Sequence, residues 1–507
     1  MDLECRQETV VCWDAVSRLK VEREESGEMI VPDACPDVGT VLAARPRLLL
    51  QRKEAMTGRG ELSGLIRVGV LYRPEGEGDP AAMEVTLPFS ATAEHPALTA
   101  ECLLWAEPRI LSADVHLLNS RKVLVKVIYC LEITVYRART ETLLSLVEDP
   151  ELWGVRQQTG MMRGFFSVSV QEKTFTYQDT LTLPTGQPDP AEVLLTEARC
   201  LCTEARVVGD KLLFKGEAAV DLLCRDGEGG LFPVRFSLPF SQVMEGESDG
   251  DVCRTSVLIT DMTCLQDPED CRTFRMELSM TAQGEVCRTV ETPVLSDLYS
   301  MGYEVETEGE DLPVCDLKER DEARETARIL LPWPAGEAGG SCQDLHVRLG
   351  RSRVRREEGK LLLAQEVCVS ALCESEAGPV GLEGTGEIVH ALPAEEGELC
   401  LWTAEPCQEP AARADAQGLE AAVTLNFRWL RLEEGTCPVI RRVSLGEKLQ
   451  RTEDSPSLVI RAVREGQTLW DIAKANSAAQ EDIMAASGLT GEEIFPGQML
   501  LIPRTAG

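Results

Sequence analysis

LVIRAVREGQTLWDIAKANSAAQEDIMAASGLTGEEIFPGQMLLIP, residues 458–503, is the stretch of this 507-residue chain with the punctuation of a small closed module. A short β-prone run, 459–463, ends at a charged turn with Gly466. Thr468 stands three residues before Asp471, the spacing of a capping box, in which each side chain takes an orphan N–H of a helix start. Leu469, Ile472 and Ala473 follow at helical spacing, so one face of a short helix is apolar. Ser477 and Gln480 repeat the capping spacing and predict a second helix carrying Ile483 and Met484, which Gly488 ends. Ile494 anchors the return, and Pro496-Gly497 turns the chain into a closing strand over 499–502. The predicted order is strand, helix, helix, strand, near the smallest size that folds alone.

Upstream the chain repeats itself. Pro36-Asp37-x3-Val41-Leu42 followed by Leu87-Pro88-Phe89-Ser90 recurs as Pro188-Asp189-x3-Val193-Leu194 followed by Leu238-Pro239-Phe240-Ser241, with almost the same separation. A third, more worn copy shows in Gly359-Lys360-Leu361-Leu362 followed by Leu372-Cys373. It matches Gly209-x-Lys211-Leu212-Leu213 followed by Leu223-Cys224. Repeats of this length are domain-sized, so each copy is expected to own a core. Alternating or continuous apolar and β-branched runs at 64–72, 122–136, 211–223, 274–282 and 419–432 read as strands. Turns rich in Gly, Asp and Glu at 73–79, 225–230 and 375–378 separate them. Segments 9–20, 165–183 and 328–333, between the copies, read as paired edge strands, and 143–146 and 295–301 as short helices.

The fold class is therefore mainly β: three repeated antiparallel β-rich domains, sandwich- or barrel-like, at 1–150, 151–312 and 320–450. A linker at 451–457 leads to a βααβ module at 458–504.

The formal net charge of −34 argues against nucleic acid and against attraction to anionic lipid, since both need a basic surface. Its plain meaning is solubility and a solvated face. Apolar residues make up 43% of the chain, enough for packed cores, and no run is long enough to span a membrane. The opening residues, MDLECRQETVVCWDAV, lack the basic start and apolar region of a secretory leader. Nineteen cysteines, none in the last seventy residues, read as free buried thiols in an unexported chain. Cys200-x-Cys202 and Cys368-x4-Cys373 are isolated, and His95, His116, His346 and His390 stand far from paired cysteines. No metal site and no cofactor is expected.

No catalytic residue is expected either. Gly246-x-Ser248-x-Gly250 spells a hydrolase nucleophile elbow, but it sits in an acidic loop with no helix after it. There is no phosphate-cradling loop and no HExxH. Carboxylates are too abundant for any pair to be singled out for glycoside hydrolysis.

Two families resemble these patterns. Val463-x-x-Gly466-x-Thr468-Leu469-Trp470-x-Ile472-Ala473 with Ile494-x-Pro496-Gly497-Gln498-x-Leu500-x-Ile502-Pro503 resembles a LysM domain. That resemblance implies binding of peptidoglycan or other N-acetylglucosamine glycans in a shallow groove between two loops. Carried over, Gly466, Gln467, Thr468, Leu469 and Trp470 line one side, and Ile494, Phe495 and Pro496 the other. Gln467 replaces the usual acidic residue, and Ser487 the usual Asn. The repeat, in its Pro-Asp-x3-Val-Leu openings, its strands ending at Tyr72-Arg73 and Cys224-Arg225 and its Leu-Pro-Phe-Ser punctuation, resembles the SPOCS domain of spore coat proteins. With a LysM module behind it, the whole is similar to the SipL-like morphogenetic proteins of clostridia.

That likeness implies a cytosolic protein of the mother cell at the forespore surface, with the spore-coat basement ATPase or other coat proteins as partners. The module would then touch protein rather than glycan. The competing reading is a peptidoglycan-binding protein tethered to wall or cortex, and a wall hydrolase is the weaker third. Repeated sheets with exposed edges also make self-association an expectation.

Overall fold

The computed structural model describes residues 1–76, 78–245, 250, 252–334, 340–375, 378–449 and 457–503. Each copy runs through the same succession of antiparallel strands. The first has β1 (Cys5–Ile30), β2 (Val38–Met56), β3 (Arg59–Pro74), β4 (Ala81–Glu94), β5 (Leu103–Asn119) and β6 (Lys122–Val147). The second has β7 (Val155–Thr182), β8 (Pro190–Val208), β9 (Lys211–Asp226), β10 (Leu231–Glu245), β11 (Val252–Gln266) and β12 (Thr273–Ser300). The third has β13 (Tyr303–Pro332), β14 (Ser341–Glu357), β15 (Lys360–Ser375), β16 (Gly378–Pro393), β17 (Glu398–Pro406), the short β18 (Ala411–Ala414) and β19 (Gly418–Lys448).

In every copy the first strand pairs with the last, which also pairs with an earlier neighbour: β1-β6-β5, β7-β12-β11 and β13-β19-β17, the short β18 adding a further pair to β19. The middle strands form a separate meander: β2-β3-β4, β8-β9-β10 and β14-β15-β16. The two sheets pack face to face. In the first copy Val21, Leu50, Ile66, Val85, Phe89, Ile110 and Tyr129 share one core, drawn from all six strands. The expectation of a mainly antiparallel β fold holds.

Several readings are corrected. Residues 143–146 and 295–301 are not helices; the first lies within β6, and the second runs through the end of β12. The segments expected between copies are the opening strands of the copies themselves: 9–20 lies in β1, 165–183 runs along β7 and 328–333 ends β13. β13 also runs unbroken past 312 and 320, where the sequence reading ended one copy and began the next. The Gly246-x-Ser248-x-Gly250 loop, apart from Gly250, and the linker, apart from Ser457, lie outside the described residues, as do one position of the 73–79 turn and two of the 375–378 turn.

The recurring motifs have structural reasons. Asp37 meets Arg121 at 3.1 Å, and Arg121 also donates to the carbonyls of Val31, Pro32 and Cys35. Asp189 meets Arg272 at 2.5 Å, and Arg272 donates to those of Pro184 and Gln187. One guanidinium thus fixes the passage from long strand to meander by charge-assisted bonds. In Leu-Pro-Phe-Ser the phenylalanine covers a glycine on the neighbouring strand: Phe89 pairs with Gly64, and Phe240 with Gly216. At the corresponding place the third copy has Gln365 opposite Ile388. Gln365 is fully buried and donates to the carbonyl of Gly350 at 3.1 Å.

The three meanders meet at Leu42, Leu71, Leu194, Leu195, Leu223 and Leu372. Beside them stand Arg45, Glu197 and His346, opposite Gly69, Asp221 and Ser370, which makes them the same position in three copies. His346 Nδ1 lies 2.8 Å and Arg45 Nη1 3.8 Å from the Glu197 carboxylate, and Arg45 also reaches Asp344 at 2.9 Å. Burial pushes the Glu197 pKa up, yet His346, Arg45 and Arg47 override it and hold the carboxyl at about 2.

The far ends of the long strand pairs pack together as well. Leu3, Leu144, Val147, Leu295, Leu298, Val443 and Leu445 form one cluster from all three copies. The Met1 ammonium donates to the Leu445 carbonyl at 2.7 Å and closes the first copy onto the third.

Candidate functional site

β20 (Leu458–Ala462) and β21 (Met499–Pro503) pair antiparallel, with α1 (Leu469–Asn476) and α2 (Gln480–Ser487) between them. Val463, Leu469, Ile472, Ala473, Ile483, Leu500 and Ile502 make the small core. The capping box at the head of α1 is complete. Thr468 Oγ1 accepts from the Asp471 N–H at 3.1 Å, and Asp471 accepts from the Thr468 N–H at 2.9 Å. The Thr468 N–H, and next the Thr468 hydroxyl, which donates to the same carboxylate at 2.8 Å, lower the Asp471 pKa. The second cap is corrected: Ser477 ends α1 in the left-handed region at φ 48°, and α2 starts from Ala479 with no side-chain cap. Gly488 ends α2 at φ 67°.

Two loops stand side by side at one end. Val463 N–H donates to the Gln498 carbonyl and Gly497 N–H to the Val463 carbonyl, both at 2.9 Å. Each loop is closed by its own glutamine. Gln467 Oε1 accepts from the Arg464 N–H at 3.0 Å, and Gln498 Oε1 accepts from the Phe495 N–H at 2.9 Å. The side-chain oxygen at the usually acidic position is therefore engaged in the turn that Gly466, at φ 79°, makes possible. Ser487 bridges to the other side: its hydroxyl accepts from the Leu501 N–H at 2.9 Å and ties α2 to β21.

The eight candidate site residues divide. Gly466 and Thr468 are exposed on one loop and Phe495 and Pro496 on the other, with Gln467 half-buried and Ile494 partly packed on the core. Phe495 is 66% exposed, a bare aromatic face beside polar backbone, the combination that suits a sugar ring with an amide substituent. Leu469 and Trp470 point elsewhere. Leu469 is core, and Trp470 is buried against the body of the protein.

That docking is what sequence reasoning missed. Trp470 Nε1 donates to Asp297 at 2.7 Å, and its ring meets Tyr299 edge-on at 4.9 Å between centroids. Lys474 pairs with the same Asp297 at 2.5 Å. The Tyr299 hydroxyl donates to the Ala478 carbonyl at 2.8 Å, and burial pushes that phenol up to about 12. Arg156 and Glu481 add an ion pair at 4.0 Å. Asp297 and Tyr299 lie at the end of β12, beside the shared cluster of long-strand ends. Only the alternation of β12 around Tyr299 could have hinted at it, and that was read as helix.

Among the described residues no three or more His, Cys, Asp or Glu gather as a metal site. No helix among them is long and apolar enough to cross a membrane. No curated protein and no solved structure matches the chain. Residues 462–503 match the family model of the LysM domain, and the docked βααβ module is a LysM domain.

Proposed function

We propose that this chain is a non-enzymatic scaffold that holds a LysM domain in a fixed pose for recognition of peptidoglycan or a related N-acetylglucosamine glycan. One observation carries the reading. The face of the module that bears Trp470 is buried on the β body, while the paired loops with Gly466, Thr468, Phe495 and Pro496 stay open to solvent. The body is a triplicated stack of sheets that suits a spacer or adaptor rather than a reaction chamber. In the test, the full chain is sedimented with insoluble peptidoglycan beside a Thr468→Ala, Phe495→Ala variant. Pelleting that the variant loses supports glycan recognition by these loops; wild-type protein left in the supernatant refutes it.

A second reading has a specific observation behind it. Leu458, Ile460 and Met499 are exposed on the outer face of β20–β21, and with Phe495 they give the module an apolar flank. Such a flank suits a protein partner. The likeness of the repeats to SPOCS domains supports a place for that partner in a spore envelope, on the coat basement layer facing the mother-cell cytosol. Capture of the basement ATPase by the full chain, lost on Ile460→Asp, would favour this reading.

A further inference from the structure

Among the described residues the third copy shows no counterpart of the clamp that fixes the other two. Arg121 and Arg272 are equivalent, since their carbonyls accept from Val31 and Leu183 at the end of the preceding strand passage. In the third copy the Gln417 carbonyl accepts from Trp333 in the same way. Glutamine therefore stands where the clamping arginine should be, and the stretch before β14 contains no Pro-Asp. Among the described residues the open end of the β14–β15 hairpin carries no counterpart of the ionic tie found in the first two copies.

At that same end a different pair faces across the strands. Cys342 is directly opposite Cys373, where the first copy has Val41 opposite Tyr72 and the second Val193 opposite Cys224. Directly opposed residues of antiparallel strands have Cα atoms about 4.5–5.5 Å apart, within the span a disulfide accepts. Cys342 Sγ donates to the Asp344 carbonyl at 3.5 Å, two residues along the same strand. The neighbouring Cys373 lowers the Cys342 pKa against the effect of burial, and Cys342 in turn raises that of Cys373. Other thiols show the opposite of Cys342. Burial drives Cys130, Cys264 and Cys400 up to about 11, and Cys200 and Cys224 up to about 12. Those are held neutral by burial, whereas Cys342 faces a second thiol across the strand pair.

We propose that Cys342 and Cys373 are a redox modification site: they close into a cross-strand disulfide that replaces the missing Asp–Arg clamp of the third copy. The oxidant is a small-molecule disulfide. The Cys342 thiolate attacks one of its sulfurs, forming a mixed disulfide and expelling one thiolate. Cys373 then gives up its proton and attacks the Cys342 sulfur; the protein S–S bond forms, the mixed bond breaks, and a second thiolate leaves. The two protein protons end on the two small thiols, so two thiols are oxidised and one disulfide is reduced.

The test uses the full chain, reduced and then equilibrated with glutathione disulfide, followed by native alkylation and non-reducing peptide mapping. The expected product is a linked peptide pair joining Cys342 to Cys373, with simple glutathione adducts at the exposed Cys271 and Cys407. Closing this loop should raise the thermal midpoint of the oxidised protein by about 5–10 °C over the reduced form. Cys342→Val restores the residue type of the other copies and should fold while showing no redox-dependent shift. Recovery of Cys342 and Cys373 as separate alkylated or glutathionylated peptides overturns the proposal. So does a redox shift that persists in Cys342→Val.

Discussion

Trp470→Phe isolates the contact that docks the LysM domain. The substitution keeps an aromatic ring in the α1 core and against Tyr299 but deletes the Nε1 donor that reaches Asp297 at 2.7 Å. A hydrogen bond to a carboxylate contributes about 2 kcal/mol. Asp297 retains Lys474, a half-exposed pair that contributes less than about 1 kcal/mol, so the lost bond is not replaced. A change of about 2 kcal/mol shifts the docked-to-undocked ratio by roughly 30-fold. Trp470→Ala would cost about 3–5 kcal/mol but mixes undocking with damage to the module's own core, so phenylalanine is the diagnostic change. Amide hydrogen exchange of the full chain, followed at 295–301 and 468–483, reads the equilibrium. Exchange gated by undocking should quicken by about 30-fold in both segments, while Glu481→Gln, at the rim, should leave both unchanged. Quickening confined to 468–483 would mean a loosened module rather than a released one. No change in either segment would refute the docking energetics.

Three further outcomes follow from the geometry. Glu197→Gln should destabilise the body by about 3 kcal/mol in a melt at neutral pH, because it removes the buried carboxylate that His346 and Arg45 share. The wild-type carboxyl is held at about 2, below its ordinary value of 4.5, so its contribution is whole above 4.5. That contribution drains away as pH falls from there toward 2, and the pH dependence of denaturant midpoints should flatten over that window in the variant. Gly216→Ala places a Cβ against the Leu201 carbonyl and 2.6 Å from the Phe240 ring, and should cost about 2 kcal/mol or more by chemical denaturation. Thr468→Ala removes the α1 cap and should destabilise the LysM domain by about 1 kcal/mol, read as faster exchange in 468–483. The depressed Asp471 carboxyl shares that cap, so its share is present at neutral pH and lost in acid as Asp471 protonates.

Much of the fold is legible where local chemistry and final structure agree. The module is short and contiguous, and Thr468, Gly488 and Pro496-Gly497 mark its joints in the sequence. The Pro-Asp openings and the Leu-Pro-Phe-Ser runs are legible because each serves a local need, a clamp in one case and a covered glycine in the other. The false helices have a cause in bulges. The register slips between Leu295 and Asp297, and the buried side chains there are Val294, Leu295, Leu298 and Tyr299. That spacing imitates a helix face although the backbone is extended. Around the slip at Ser145, opposite Arg6 and Gln7, Leu143, Leu144 and Val147 are all buried, Leu143 in one cluster and Leu144 and Val147 in another, so the strand's alternation is masked. The first strand of the third copy is hard to place in the sequence because no Pro-Asp signal follows it. The position of Trp470 was illegible for another reason: its partners, Asp297 and Tyr299, lie more than 170 residues away, and tryptophan suits a sugar face and a docking socket equally well.

The meeting of Arg45, Glu197 and His346 shows what a single polypeptide gains over three separate ones. Identical subunits arranged by rotation would bring three like groups to that spot, and three arginines or three glutamates out of water would repel. Once the units share one backbone, each can carry a different residue there, so an arginine, a glutamate and a histidine can pair at one point. Tandem fusion relieves the self-complementarity that symmetry imposes, and the join among the three becomes selective: each copy fits its own neighbours in one order only.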